Sequence, residues 1–169
     1  MKPKRSLRSG KARQYGVIPY RVAADGVRVL LITSRETRRW VIPKGNPMKG
    51  CKPHKAAAIE AFEEAGVKGK VDREVLGSFD YDKVVGRKSV PCVVSVFPLL
   101  VREELDAWPE ADQRERAWVD CSAAAGMVRE PGLADLLRSF EPATVRWLVM
   151  PGKARFAIAA TLRVRAAGT

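Results

Sequence analysis

The sequence is poor in the residues that build disulfides, zinc sites and membrane spans. It has three cysteines, Cys51, Cys92 and Cys121, an odd number at wide spacing. No CxxC pair occurs, which argues against structural zinc and dithiol redox chemistry. Unpaired thiols fit a reducing compartment, so a cytoplasmic location is the expectation. His54 is the sole histidine. Without a second ligand at suitable spacing it marks no zinc site, and it is expected in the first turn of a helix. No run approaches the roughly 18 apolar residues that cross a membrane. No apolar stretch follows the basic N-terminus, so no secretion signal is expected. Acid is missing from both ends. Residues 1–14 carry Lys2, Lys4, Arg5, Arg8, Lys11 and Arg13, and residues 151–169 carry Lys153, Arg155, Arg163 and Arg165. The rest of the chain holds 21 bases against 19 acids. The net charge of +12 is therefore a property of the ends. They read as solvated basic tails, or as a nonspecific attraction for nucleic acid.

What is present describes a folded globule. Of the 169 residues 46% are hydrophobic and 30% charged, enough for one domain with a sizeable core. Apolar patterning predicts strands over 15–22, 27–33, 40–42, 71–79, 90–101 and 117–119. Asp25-Gly26 marks a hairpin turn. The Pro- and Gly-rich stretch 43–53 reads as a loop, and 103–116 as a charged loop. Pro53 at the start and Gly66 just past the end bracket a helix rich in alanine. Further helices are expected over 122–128 and 133–140. Strands interleaved with helices indicate an α/β (α+β) domain, a mixed sheet with helices packed on it. The organisation is a basic, poorly ordered arm over 1–14, a domain over 15–141, and a basic extension over 142–169. Trp147, Phe156 and Leu162 give that extension side chains with which to dock.

At about 100° per residue, Glu60, Glu63 and Glu64 share one face of the first helix, opposite Ala58, Ala61, Phe62 and Ala65. Glu-rich faces on surface helices are usually just solvated. Three crowded carboxylates repel one another, however, and a hard divalent cation such as Mg2+ or Mn2+ relieves that repulsion.

The neighbours of these glutamates carry a resemblance. Gly45, Glu60, Glu63-Glu64, Gly66 and Val67 have the spacing of the Nudix box, whose second half lies over 59–67. The stretches 39–45, 63–69, 87–88 and 114–118 resemble the diphosphoinositol polyphosphate phosphohydrolase branch, which also takes diadenosine polyphosphates. Likeness covers roughly residues 14–140. It implies a mixed sheet sandwiched by helices and metal-dependent hydrolysis of a diphosphate linkage in a soluble polyphosphate. Glu60, Glu63 and Glu64 are the implied catalytic carboxylates and metal ligands, with a backbone carbonyl at Lys44 or Gly45 completing the site. Lys44, Arg39, Arg35, Arg87, Lys88, Arg114, Arg116 and Arg13 are the expected phosphate contacts, with Lys11 and Arg38 nearby. Glu110 is a candidate general base. Trp108 and Trp118 are either core residues or stacking surfaces for an adenine. Two box positions depart from the pattern: Cys51 stands where the family has glutamate, and Ile59 where it has arginine. These departures read as an apolar Cys51–Ile59 contact replacing an ionic one, at the expense of carboxylate orientation. Two alternatives stay open. One is a fold that binds nucleotide or RNA with little turnover, and the other a hydrolase of nucleoside diphosphate sugars or capped RNA.

Overall fold

The structure is a computed structural model and describes residues 10–142. In chain order its elements are β1 (Ala12–Ala23), β2 (Gly26–Thr33), β3 (Trp40–Val41), β4 (Lys44–Gly45) and α1 (Pro53–Ala65). There follow β5 (Val67–Val71), β6 (Gly77–Val85), β7 (Lys88–Glu104), β8 (Arg116–Asp120), α2 (Cys121–Met127) and α3 (Pro131–Arg138). Residues 12–14 of the expected basic arm thus lie within β1. Residues 1–9 and 143–169, with Trp147, Phe156 and Leu162, lie outside the described residues.

The strands form one mixed sheet of eight, with the main order β3-β2-β1-β7-β5. β1 and β7 run parallel, from Ala12 beside Cys92 to Tyr20 beside Leu100. β6 and β5 pair antiparallel with β7, and β8 and β3 with β2. Successive side chains of a strand point to opposite faces, and both faces are apolar. Ile18, Leu31 and Val96 pack with Leu133 and Leu137 of α3. Val17, Leu30 and Phe97 pack with Ala57, Ala61 and Ala65 of α1. The small alanines let α1 lie close to the sheet. The mixed sheet between helices matches the fold class expected from the sequence.

One strand is corrected. The expected strand over 71–79 is two strands separated by a turn, in which the Asp72 side chain accepts from the Glu74 amide at 3.0 Å. An aspartate that bonds forward in this way stabilises a turn against a strand. β6 then continues to Val85 and returns through Gly86-Arg87, where Gly86 has φ +61. Among the described residues no helix is long and apolar enough to cross a membrane.

Candidate active site

α1 ends at Gly66, which caps it with φ 64. A side chain there would meet the Trp108 ring at 2.7 Å, so glycine serves both the left-handed turn and the close approach. The last carbonyls of a helix lack partners within it. Here the segment from β7 to β8 supplies them. The Leu105 amide donates to Gly66 O (2.8 Å), the Glu110 amide to Glu63 O (3.1 Å) and the Trp108 indole to Glu64 O (3.2 Å). That segment is bolted to the helix and carries Glu110 and Arg114 to its glutamate face.

A cavity of about 420 Å³ opens there, lined by Glu60, Glu64, Lys44, Gly45, Arg35, Arg39, Glu110 and Arg114. The two residues of β4 pair with Tyr15 and Gly16 of β1, which fixes the backbone opposite α1. Glu60 lies directly on Gly45: a Cβ on this glycine would fall 1.9 Å from the Glu60 Oε1. Glu60 has no hydrogen bond or ion pair to any described residue. Burial raises its pKa, and the charges of Glu63 and Glu110 add to the effect.

Glu64 is held instead. Its Oε2 accepts the Lys44 amide at 3.1 Å and its Oε1 accepts Arg114 Nη2 at 2.7 Å. The Arg114 side chain is only 7% exposed. It also donates from Nε to Glu110 at 2.5 Å and from Nη1 to Thr33 O at 3.0 Å. The second Glu110 oxygen faces Arg35 at 3.8 Å. Burial pushes Glu64 up to about 7, against the pull of Arg114 and Lys44. Lys44 is lowered, first by burial and then by Arg39 and Arg114, while Glu64 and Glu130 oppose the shift. Its ammonium sits 5.1 Å from the Tyr81 ring centre.

Among the described residues no three His, Cys, Asp or Glu side chains converge on a point that would hold a metal. The donors still fit a hard cation. A free carboxylate faces a glycine backbone, Glu64 lies one turn on, and all the donors are oxygens. Mg2+ characteristically uses one or two carboxylates and takes the rest of its shell from water and phosphate. Protons and a cation would compete for Glu64. The folded pKa lies above the ordinary carboxylate value, so the native state holds the extra proton and loses stability as pH rises from about 4.5 through about 7. Metal affinity is expected to move the other way, climbing through about pH 7 and levelling above it. Mn2+ titrations at a series of pH values check this, and an affinity flat across that range would contradict it.

Other expected site residues lie elsewhere. Glu63 is exposed and does not line the cavity. Arg87 and Lys88 stand exposed at the tip of the β6–β7 hairpin. Arg116 donates to Ala65 O at 3.0 Å, pairs with Glu104 at 3.2 Å and stacks 4.1 Å over Trp108. It is a structural clamp. Trp118 donates to Glu104 at 3.0 Å and lies under Arg21. Both tryptophans are thus engaged by arginine and not offered to a base. Arg13 lines a different cavity, and Lys11 pairs with Asp80 at 3.1 Å. Arg38 pairs with Glu115 at 2.9 Å. Glu110 has both oxygens facing guanidinium groups, an anchor's arrangement rather than that of a proton acceptor. Conversely, Tyr81, Gln14 and Asn46 line the cavity through a chain of side-chain bonds, Tyr81 to Gln14 and Gln14 to Asn46 at 3.2 Å. Burial raises the Tyr81 pKa, so its hydroxyl stays a donor. Arg39 is steered by an ion pair with the buried Glu130. No motif in the sequence announced these partners.

Cys51 and Ile59 belong to neither core cluster. Ile59 is 39% exposed, and the Cys51 thiol faces the Lys52 carbonyl at 3.7 Å. An arginine at position 59 would point into solvent, not into the core. Ile59→Arg is therefore expected to change stability by less than about 0.5 kcal/mol. A denaturation midpoint lowered by more than that would show that position 59 is packed.

A mixed sheet between helices thus sets a carboxylate helix against the Lys44-Gly45 strand, under a basic rim. A family model for the NUDIX domain matches residues 12–143. Nudix hydrolase 18, mitochondrial, of Arabidopsis thaliana is 35% identical over 128 residues, covering 72% of this chain and 71% of that one. Diphosphoinositol polyphosphate phosphohydrolase 3-beta of Bos taurus is 32% identical over 111 residues, 64% of each chain. The solved Ap4A hydrolase of C. elegans superposes with TM-score 0.54 at 19% identity, covering 76% of this chain and 95% of that one; at that identity it speaks for the fold. The chain belongs to the Nudix family of hydrolases.

Proposed function

We propose that the cavity hydrolyses a diphosphate linkage in a soluble polyphosphate, with Mg2+ or Mn2+ held by Glu60 and Glu64. The observation that carries this reading is the free Glu60 carboxylate against Gly45, inside a cavity rimmed by Lys44, Arg39 and Arg35. The cations on the rim suit the oxygens of a polyphosphate. The bound metal supplies further charge neutralisation on those oxygens. Water adds to one phosphorus, the bridging P–O bond breaks, and the second phosphate leaves with the electron pair, the proton lost by the water passing to the departing phosphate or to solvent. Lys44 and Arg39 orient the substrate, and Arg114 fixes Glu64. Diadenosine polyphosphates, diphosphoinositol polyphosphates and other nucleoside diphosphate derivatives belong to this substrate class. The basic ends add a nonspecific, salt-sensitive attraction for polyanions, and a cytoplasmic location suits the three free thiols.

The departures at Cys51 and Ile59 favour one second reading, a protein that binds such ligands with little turnover. Phosphate release from a panel of these compounds, with and without Mg2+, separates the two. Mg2+-dependent release of product supports hydrolysis. Tight binding without release supports the second reading and overturns the first.

A further inference from the structure

A second cavity, of about 220 Å³, shares no lining residue with the first. It lies at the N-terminal end of α1, where Pro53 and His54 contribute to its wall. The N-cap residue of this 13-residue helix, Lys52, makes no side-chain cap. First-turn amides are thus left free, with the positive end of the helix dipole. His54 supplies an independent sign. It is only 7% exposed, has no hydrogen-bond partner among the described residues, and its ring nitrogens are not sealed from solvent. The His54 ring forms part of the cavity wall, packed against Phe97 with ring centres 6.2 Å apart. Arg13 and Arg73 stand on the rim, neither paired with an acid among the described residues. Tyr15, Phe97 and the half-exposed Val75 provide an apolar wall.

We propose that this second cavity binds a phosphate monoester carried on a compact, flat apolar body, a class that includes nucleoside monophosphates. The phosphate sits between Arg13, Arg73, His54 and the first-turn amides, and the body lies on Tyr15 and Phe97. The charges around His54 are one-sided. Burial lowers its pKa, and Lys55, Arg73 and Lys52 lower it further, with Asp72 alone opposing. A bound dianion reverses that balance and raises it.

His54 is the chain's only histidine, so its imidazole proton resonances report this cavity without ambiguity. Phenyl phosphate is added to the full chain in EDTA at constant ionic strength. The expected result is a saturable movement of the His54 signals and an upward shift of its titration midpoint. Inorganic phosphate, lacking the apolar body, should act only at higher concentration. The Arg13→Gln, Arg73→Gln double variant alters two exposed side chains and should bind phenyl phosphate at least about tenfold more weakly. Unmoved His54 signals, a response that sodium chloride reproduces, or equal half-saturation in the double variant would overturn the proposal.

Discussion

Gly45→Ala is expected to lower turnover by about a hundredfold or more while leaving the fold almost unchanged. The added methyl would fall 1.9 Å from one Glu60 oxygen and 2.0 Å from its carboxyl carbon. Its nearest obstacles are all atoms at the end of a flexible side chain. The carboxylate swings away, and the backbone can stay in place. Stability should therefore change by less than about 1 kcal/mol. The proposed hydrolysis depends on where that carboxylate stands, and a misplacement of about 1 Å at a reacting site costs about a hundredfold. Thermal denaturation and steady-state turnover of the same preparation check both halves. A variant that turns over substrate like the parent would mean that Glu60 does not act from its place on Gly45.

Arg114→Met should do the opposite and strike stability first. The guanidinium spends its donors on Glu64, Glu110 and the Thr33 carbonyl. Removing one partner from such a buried pair leaves an uncompensated charge and costs about 3–5 kcal/mol. For a domain of this size that is on the order of 10 °C or more in the denaturation midpoint. Glu64 can relieve the cost by taking a proton, since burial already holds its pKa near 7. The deficit should therefore shrink as pH falls below about 7 and grow above it. Arg114→Lys keeps the charge but not the planar fork and should fall between parent and Met variant. A deficit independent of pH would show that Glu64 is not the group left stranded.

This clamp bears on the missing box arginine. Ile59 stands at an exposed position on α1, and Arg114 arrives from the segment between β7 and β8 to fasten Glu64. A guanidinium therefore orients a carboxylate of this helix, although it comes from a different part of the chain. Of the three glutamates only Glu64 has an ion pair among the described residues.

The helix itself was legible because its signals are local. Pro53, the alanines and Gly66 state its start, face and end, and two of its three glutamates, Glu60 and Glu64, line the cavity. The division between β5 and β6 was less so, because the turn at Asp72 interrupts a run that reads as extended. Residue roles were legible only where chain order and space agree. Arg114 and Arg116 are two residues apart, yet one enters the cavity and the other lies on Trp108. Nothing in their spacing tells them apart, since the difference lies in how the loop is bolted to the end of α1. Arg13 likewise precedes Gln14 on β1, and strand alternation sends the two to different cavities. Ile59 read as an apolar partner of Cys51 and is 39% exposed, because the helix needs only its alanine face against the sheet.

The central claim is that Glu60 and Glu64 hold a divalent cation at this cavity, and Mn2+ binding followed by electron paramagnetic resonance tests it directly. Glu60→Gln keeps the shape of a side chain that has no ion pair to lose, so it should fold like the parent. The account predicts that its Mn2+ affinity falls at least about tenfold. Mn2+ affinity equal to the parent's in a folded Glu60→Gln protein would contradict it.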